Sequence, residues 1–456
     1  MAGTAGWRFP CHWVFRQSRG RHEHAWFRGG AVIVDADLRV PGDKSLTHRM
    51  LLFAAMAAGT SRLGGALTSF DARSTARILR QLGAKVSPLV AGRDITIQGR
   101  ARFQRPTKQL HCGNSGTAAR LLLGILSAHE FASTLTGDSS LRRRPMRRVT
   151  DPLAQMGARF TFEGQDGLPV TVEGGALEGI RYTLPVSSAQ LKSALLLAGV
   201  AGGVPVEVRE PGGRSRDHTE RMLRAFGYEI EDDGDWIRFA PTGRIEPVSQ
   251  EVPGDPSSAA FLIGATMLAE SGRLRLRGVG VNPTRTGFLR VLARMGAPVA
   301  VENHHEVGGE PVADLIVGPA ELTSTEVAAA EIPGLIDEIP LLSVLASRAD
   351  GTTVFREVGE LRVKESNRLA LLASNLRAVG AQAEAHGNTL TVVGGRAMPA
   401  GRVVTAGDHR IAMAFAVLGT LPGAKVRVDD PACAGVSYPG FDESLRALAA
   451  GRRRRA

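Results

Sequence analysis

The sequence predicts an α/β protein built as two similar lobes, and three observations carry that prediction. The 456 residues are 43% hydrophobic but only 5% aromatic, with 54 Gly and 24 Pro, a profile of a turn-rich α/β chain with room for two or three domains. Five segments, 79–86, 153–160, 223–230, 292–299 and 376–383, share an apolar helix, a glycine and a strand. Their glycines, Gly83, Gly157, Gly227, Gly296 and Gly380, recur at intervals of about 70 residues, the mark of an internal repeat. Finally, Pro41-Gly42-Asp43 and Pro253-Gly254-Asp255 open stretches of nearly equal length, so the chain reads as a duplicated pair of three-unit halves.

In chain order, PGDKSLTHR (41–49) runs from a turn into an Ala-rich helix. Lys44 and Ser45 then sit at a helix N-terminus, where free amides and the dipole favour anions, with Arg49 about one turn along. Each repeat glycine is expected just past a helix end in left-handed geometry, which Gly adopts without a Cβ penalty. Short β-rich runs around a turn follow it, giving a unit of helix, strand, hairpin, strand. CGNSGTAAR (112–120) is a second Gly-rich helix entry: Gly113 and Gly116 permit close backbone approach, Ser115 or Thr117 can cap, and Arg120 lies one turn in. LRRRPMRR (141–148) concentrates five arginines, whose guanidinium forks match phosphate or carboxylate oxygens. LRVKESNR (361–368) places Lys364, Glu365 and Arg368 within a turn of one another, and Gly407-Asp408-His409-Arg410 leads into an apolar helix from Ile411. Residues 445–450 read as the helical remnant of a sixth unit. The two Pro-Gly-Asp crossovers assign 42–252 to a lower lobe and 31–41 with 253–446 to an upper one. Basic tails, expected to be disordered, flank them at 1–30 and 447–456. Two lobes hinged near 41 and 253 imply a cleft between them.

The formal charge of +11 does not indicate nucleic acid, because residues 1–30 and Arg452–Arg455 together carry +8 of it. Cys11, Cys112 and Cys433 are too few and too scattered for a disulfide framework or zinc cluster, which favours a reducing, cytoplasmic setting. The longest apolar runs, 121–128 and 411–418, fall short of the ~20 residues of a membrane helix, and 1–30 lacks a signal peptide's apolar stretch. There is no GxxxxGK[ST], and Gly278-Val279-Gly280 is followed by Pro283 where a dinucleotide fingerprint needs its third glycine. His304-His305-Glu306 falls in a presumed hairpin turn, with Gly309 where a zincin requires its second histidine, so it reads as a solvated loop. No cofactor and no metal are expected. What remains is a set of cations, Lys44, Arg49, Arg144, Lys364, Arg368 and Arg410, with carboxylates at Asp337, Glu338 and Glu365. Such a set suits substrates rich in phosphate and carboxylate and a reaction run by acid/base groups.

Taken together and in order, PGDKSLTHR, GNSGTAAR, SLRRRPM, SSAQLKSALL, SRDHTERM, GDPSSAAF, LIDEIP, LRVKESNRL and GDHRIAM resemble the 5-enolpyruvylshikimate-3-phosphate synthase family, from about residue 38 to 446. The resemblance implies a two-lobed inside-out α/β barrel, each lobe three repeats of about 70 residues. It also implies a monomer that transfers the enolpyruvyl group of phosphoenolpyruvate to the 5-hydroxyl of shikimate 3-phosphate. By the same resemblance Lys44, Ser45, Arg49, Ser188, Gln190, Arg216, Asp337 and Lys364 bind shikimate 3-phosphate. Lys44, Gly116, Arg144, Arg368 and Arg410 hold phosphoenolpyruvate. Asp337 serves the 5-hydroxyl, and Glu365 with Lys44 moves protons at the enolpyruvyl unit. One departure is Val436, before Ser437-Tyr438-Pro439, where the better-known subtype carries a lysine; the SSAQ, SRDHTE and LRVKES strings resemble the second subtype instead. Gly116 stands where an alanine would crowd glyphosate, so inhibition is expected. The related UDP-N-acetylglucosamine enolpyruvyl transferases use a loop cysteine near an Arg-Pro, and 139–145 holds none.

Overall fold

The computed structural model describes residues 33–449, so the expected tail at 1–30 lies outside the described residues. At the other end, helix Phe441–Ala449 occupies the place of the sixth unit's helix and buries Leu445 and Leu448. The helix therefore continues through 447–449, where a tail was expected to begin, with Leu448 still buried. Leu448 meets apolar neighbours there, which holds the last turn in place.

Two separate hydrophobic cores organise the fold. One is built from residues between Leu46 and Val252, the other from Val34, Val40 and residues between Ala259 and Leu448. At the centre of the first, helices Lys44–Met56, Gly116–Leu126 and Ala189–Gly202 pack on one another; at the centre of the second, Pro256–Met267, Ile339–Ala346 and His409–Leu418 do the same. These helices are apolar nearly all round, as helices enclosed on every side must be. Pro256–Met267, for instance, buries every residue.

The repeat glycines end their helices as expected. Gly83, Gly157, Gly227, Gly296 and Gly380 have φ between 78° and 113°. After each, the next residue's N–H bonds five residues back, as Ala84 N–H does to Leu79 O (3.0 Å) and Ala381 N–H to Leu376 O (2.9 Å), the Schellman closure that uses up otherwise orphaned carbonyls.

Four-stranded sheets repeat one pattern: two parallel strands joined through a central helix, then a hairpin added antiparallel, as in the order 110–111, 132–136, 170–173, 159–162. The first sheet of each core breaks the pattern in a reciprocal way. Strand Ile33–Leu38 precedes the lower helix Lys44–Met56 but pairs in parallel with Ser271–Gly280 of the upper core. Strand Ser249–Glu251 precedes the upper helix Pro256–Met267 but pairs with Thr60–Gly64 of the lower core. The leading strands are thus exchanged, and the chain crosses between cores at the two Pro-Gly-Asp segments. These lie side by side: Asp43 N–H bonds Pro253 O (2.8 Å) and Asp255 N–H bonds Pro41 O (2.9 Å).

Two local readings are corrected. His304, His305 and Glu306 belong to strand Ala300–Val307, and the turn falls at Gly308-Gly309, both in left-handed geometry. The histidines are exposed, and no cluster of His, Cys, Asp or Glu able to hold a metal occurs among the described residues. Residues 361–368 are not one helical turn. A 3-10 helix ends at Val363, Lys364 is extended, and Arg368 opens the next helix because the Asn367 side chain caps it, accepting from Ala370 N–H (3.2 Å). No described helix is long and apolar enough to cross a membrane.

Candidate active site

The central helices share one orientation towards the gap between the cores. Residues at or beside all six of their N-termini line a single cleft of about 500 Å³: Lys44 and Ser45, Thr117, Ser188 to Gln190, Asp255, Asp337, and His409 with Arg410. Four of the six starts carry a side-chain cap. Asp43, Ser115, Asp255 and Asp408 cap with side-chain oxygens, so of the two candidates at 115 and 117 it is Ser115 that caps. Six positive dipole ends aimed at one space make a field for anions before any side chain is counted.

Side-chain cations reinforce it. Lys44 Nζ lies 2.5 Å from Asp71. Arg49, buried beneath Ser45, donates to Thr219 Oγ1 and Ser193 Oγ (both 2.7 Å) and to the Ser45 carbonyl (3.1 Å); burial lowers its pKa to about 10, against the pull of Glu220. Of the five arginines at 142–148, Arg144 turns inward, donating to Asn114 Oδ1 (2.6 Å), and Arg148 reaches across the cleft to Glu360 (3.2 Å). Arg216 meets Asp337 across the cleft at 2.5 Å. Burial lowers Lys364 below its ordinary value, opposed by the Asp337 charge.

Two carboxylates face these cations. Asp337 lies 2.5 Å from Arg216, 3.5 Å from Arg410 and 3.8 Å from Arg368. Burial would raise its pKa, but Arg410, Arg216, Lys364 and Arg368 outweigh that and hold it well below the usual range. Glu365 is gripped by Arg368 (2.6 Å), with Arg144 at 3.8 Å, and its carbonyl accepts from Ser140 Oγ across the cleft (2.7 Å). It too is held well below its usual range: burial acts upward, while Arg368, Arg144, His409 and Lys44 outweigh it. Both groups are therefore ionised acceptors while the cleft holds no other anion. Glu338 differs, for burial raises its pKa and its carboxyl accepts from Ser257 Oγ.

Most of the expected site residues line the cleft, namely Lys44, Ser45, Arg49, Arg144, Ser188, Gln190, Arg216, Asp337, Lys364, Glu365 and Arg410. Gly116 and Arg368 lie just behind its wall. A Cβ on Gly116 would stand 3.1 Å from Arg144 Nη1 and 3.5 Å from Arg120 Nη1. Arg368 is drawn inward by Asp408, which takes Nε at 2.9 Å and Nη2 at 3.1 Å. Val436 ends the 3-10 helix Pro431–Val436 and is not part of the lining.

The structure adds groups that the sequence reading left unassigned. Arg120 bonds Gln190 Oε1 and the Pro145 carbonyl (3.2 Å); burial, with repulsion from Arg148 and Arg144, lowers its pKa to about 9. Its spacing of four residues from Gly116 was the available signal. His409 lines the cleft with both ring nitrogens unpartnered, and burial lowers its pKa to about 4. Arg285 also reaches the lining, and nothing in its local sequence marked it.

This architecture is that of the enolpyruvyl transferases. The chain superposes on an enolpyruvyl transferase, NikO from Streptomyces tendae, with a TM-score of 0.72, covering 92% of this chain and 96% of that one, although only 19% of residues are identical. It is closer to the EPSP synthase of Acinetobacter baumannii, with a TM-score of 0.81 and 38% identity over 92% of this chain and 97% of that one. Curated relatives named 3-phosphoshikimate 1-carboxyvinyltransferase include those of Xanthomonas euvesicatoria pv. vesicatoria, 46% identical over 421 residues (92% of this chain, 95% of the relative), and Xanthomonas campestris pv. campestris, 47% identical over 419 residues (91% and 95%). The family model described as EPSP synthase (3-phosphoshikimate 1-carboxyvinyltransferase) matches residues 30–445. The chain belongs to the EPSP synthase family and is an enzyme of enolpyruvyl transfer from phosphoenolpyruvate to shikimate 3-phosphate.

Proposed function

We propose that the transfer runs in this cleft with the residue roles that follow, and one observation carries the reading: six helix N-termini and a ring of cations surround two ionised carboxylates. Shikimate 3-phosphate lies against Lys44, Ser45, Arg49, Ser188, Gln190, Arg216 and Lys364, with its 5-hydroxyl at Asp337. Phosphoenolpyruvate lies against Lys44, Arg144 and Arg410, with Gly116 and Arg368 shaping and charging the wall behind it. The carbinol oxygen must lose a proton while the enol C3 gains one. The tetrahedral adduct must then reverse that traffic and expel phosphate, so acid/base groups are needed on both sides. Asp337 serves the hydroxyl; Glu365 and Lys44 serve the enolpyruvyl unit. In the free protein both carboxylates are too well paired to be strong bases. Substrate anions that draw off Arg216, Lys364 and Arg144 raise their proton affinity, which arms them only in the loaded cleft.

On the same reading the two cores are two lobes, 42–252 and 31–41 with 253–446, the second extended to Ala449 by its last helix, each an inside-out α/β barrel with helices central and sheets outward. The protein works as a cytoplasmic monomer inhibited by glyphosate. The free thiols of Cys112 and Cys433 suit a reducing setting. The test is phosphate release from the two substrates without metal or nucleotide, with the enolpyruvyl product identified by mass. Lys44→Met abolishes turnover. Full turnover in that variant, or none in the wild type, overturns the reading.

A further inference from the structure

Arg285 sits in the bend 281–286 of the upper core, after the Gly278-Val279-Gly280 run that resembled a failed dinucleotide motif. Its side chain is only 2% exposed, yet it joins four segments. Nη1 donates to Asp43 Oδ2 (2.9 Å) and faces His218 Nε2 (3.3 Å); Nη2 donates to Asp255 Oδ1 (3.2 Å) and Ser257 Oγ (2.9 Å). The two aspartates belong to the two crossovers. Asp43 caps the lower helix that carries Lys44, Ser45 and Arg49, through Leu46 N–H (2.8 Å). Asp255 caps the upper helix through Ser257 N–H (2.8 Å) and also receives Lys44 N–H (3.4 Å). Ser257 in turn donates to Glu338, the neighbour of Asp337. One guanidinium therefore connects the cation-bearing helix start on one side of the cleft to the Asp337 segment on the other. It also neutralises two buried carboxylates that would otherwise repel.

We propose that Arg285 is a positioning residue that clasps the two crossovers and so sets the spacing between Lys44 and Asp337 across the cleft. This rests on the assignment of Asp337 to the acceptor hydroxyl. The planar fork is what the role needs, because a lysine keeps the charge but cannot hold two aspartates and a serine in fixed directions. A displacement of about 1 Å between substrate and catalytic group costs about 10²-fold in rate.

The experiment is Arg285→Lys, alone and with Asp43→Asn, read by steady-state kinetics, thermal melting and amide hydrogen exchange at Leu46 and Ser257. The clasp requires kcat about 10²-fold lower with both KM values within about threefold. It also requires faster exchange at the two capped helix starts, and a double variant no slower than the slower single one, since both remove the same link. Wild-type kcat in Arg285→Lys, losses that multiply in the double variant, or a kcat loss explained wholly by unfolded protein overturns it. If the wild type shows no turnover, the functional reading fails and the exchange data alone decide the clasp: unchanged protection at Leu46 and Ser257 refutes it, and lost protection supports it.

Discussion

Replacing Asp337 by Asn removes a charge faced by guanidiniums at 2.5, 3.5 and 3.8 Å. At an effective dielectric near 20 each contact carries about 4 to 7 kcal/mol of Coulomb attraction before desolvation. The side chain is 15% exposed, so solvent screens part of it. In the free protein this attraction works against substrate, because Arg216 and Arg410 must be shared between Asp337 and an incoming anion. The Asn variant lifts that competition while deleting the base. Calorimetric titration is therefore expected to give a shikimate 3-phosphate Kd within about threefold of wild type or tighter. Phosphate release should show kcat lower by about 10² to 10⁴, the usual worth of a positioned acid/base group. Turnover at the wild-type rate would refute the role outright. A tenfold weaker Kd with kcat intact would make Asp337 a substrate anchor and not a proton acceptor.

Gly116→Ala places a methyl 3.1 Å from the Arg144 guanidinium, tighter than comfortable contact. It is expected to raise the glyphosate concentration for half-inhibition at least tenfold while the KM for phosphoenolpyruvate rises less; equal sensitivity of variant and wild type would rule out Gly116 as the crowded wall. Glu310, whose Oε1 lies 2.8 Å from His218 Nδ1, has its pKa raised from 4.5 to about 7 by burial, with the nearby Asp217 and Asp43 charges adding to it. A carboxyl with a raised folded-state pKa stabilises the fold fully below its unfolded value, and that contribution is lost as pH rises through the folded value. Wild type should thus lose up to about 3 kcal/mol between pH 4.5 and 7 through this group, and Glu310→Gln should flatten that slope in urea unfolding; parallel slopes would show that Glu310 does not titrate there.

Much of this was legible because local chemistry repeats. A left-handed glycine after a helix is a backbone requirement, so Gly83 through Gly380 exposed the repeat. Helix N-termini that bind anions need capping and cationic residues close in sequence, so the motifs around Lys44, Gly116 and Arg410 stood out. Arg368 was legible as a cation but not in its depth, because Asp408, which draws it behind the wall, lies forty residues away. Residues 361–368 read as one turn because charge spacing does not reveal that Asn367 starts a new helix. Arg285 was invisible because its partners are remote in sequence, Asp43 in the other half of the chain and Asp255 thirty residues away, just as the strand exchange is defined by strands far apart.

The exchanged leading strands also dictate an order of events during synthesis. Strand Ile33–Leu38 is made early, yet its partner Ser271–Gly280 is translated only after the entire 42–252 segment. The lower core, by contrast, is completed as soon as Ser249–Glu251 emerges. A nascent chain must therefore carry an unpaired β-edge through the whole folding of its other half, the interval in which such an edge invites pairing with a neighbouring chain. A permuted chain that begins after the first crossover and delivers 33–38 at its end would not carry that strand while 42–252 folds, and should aggregate less during synthesis.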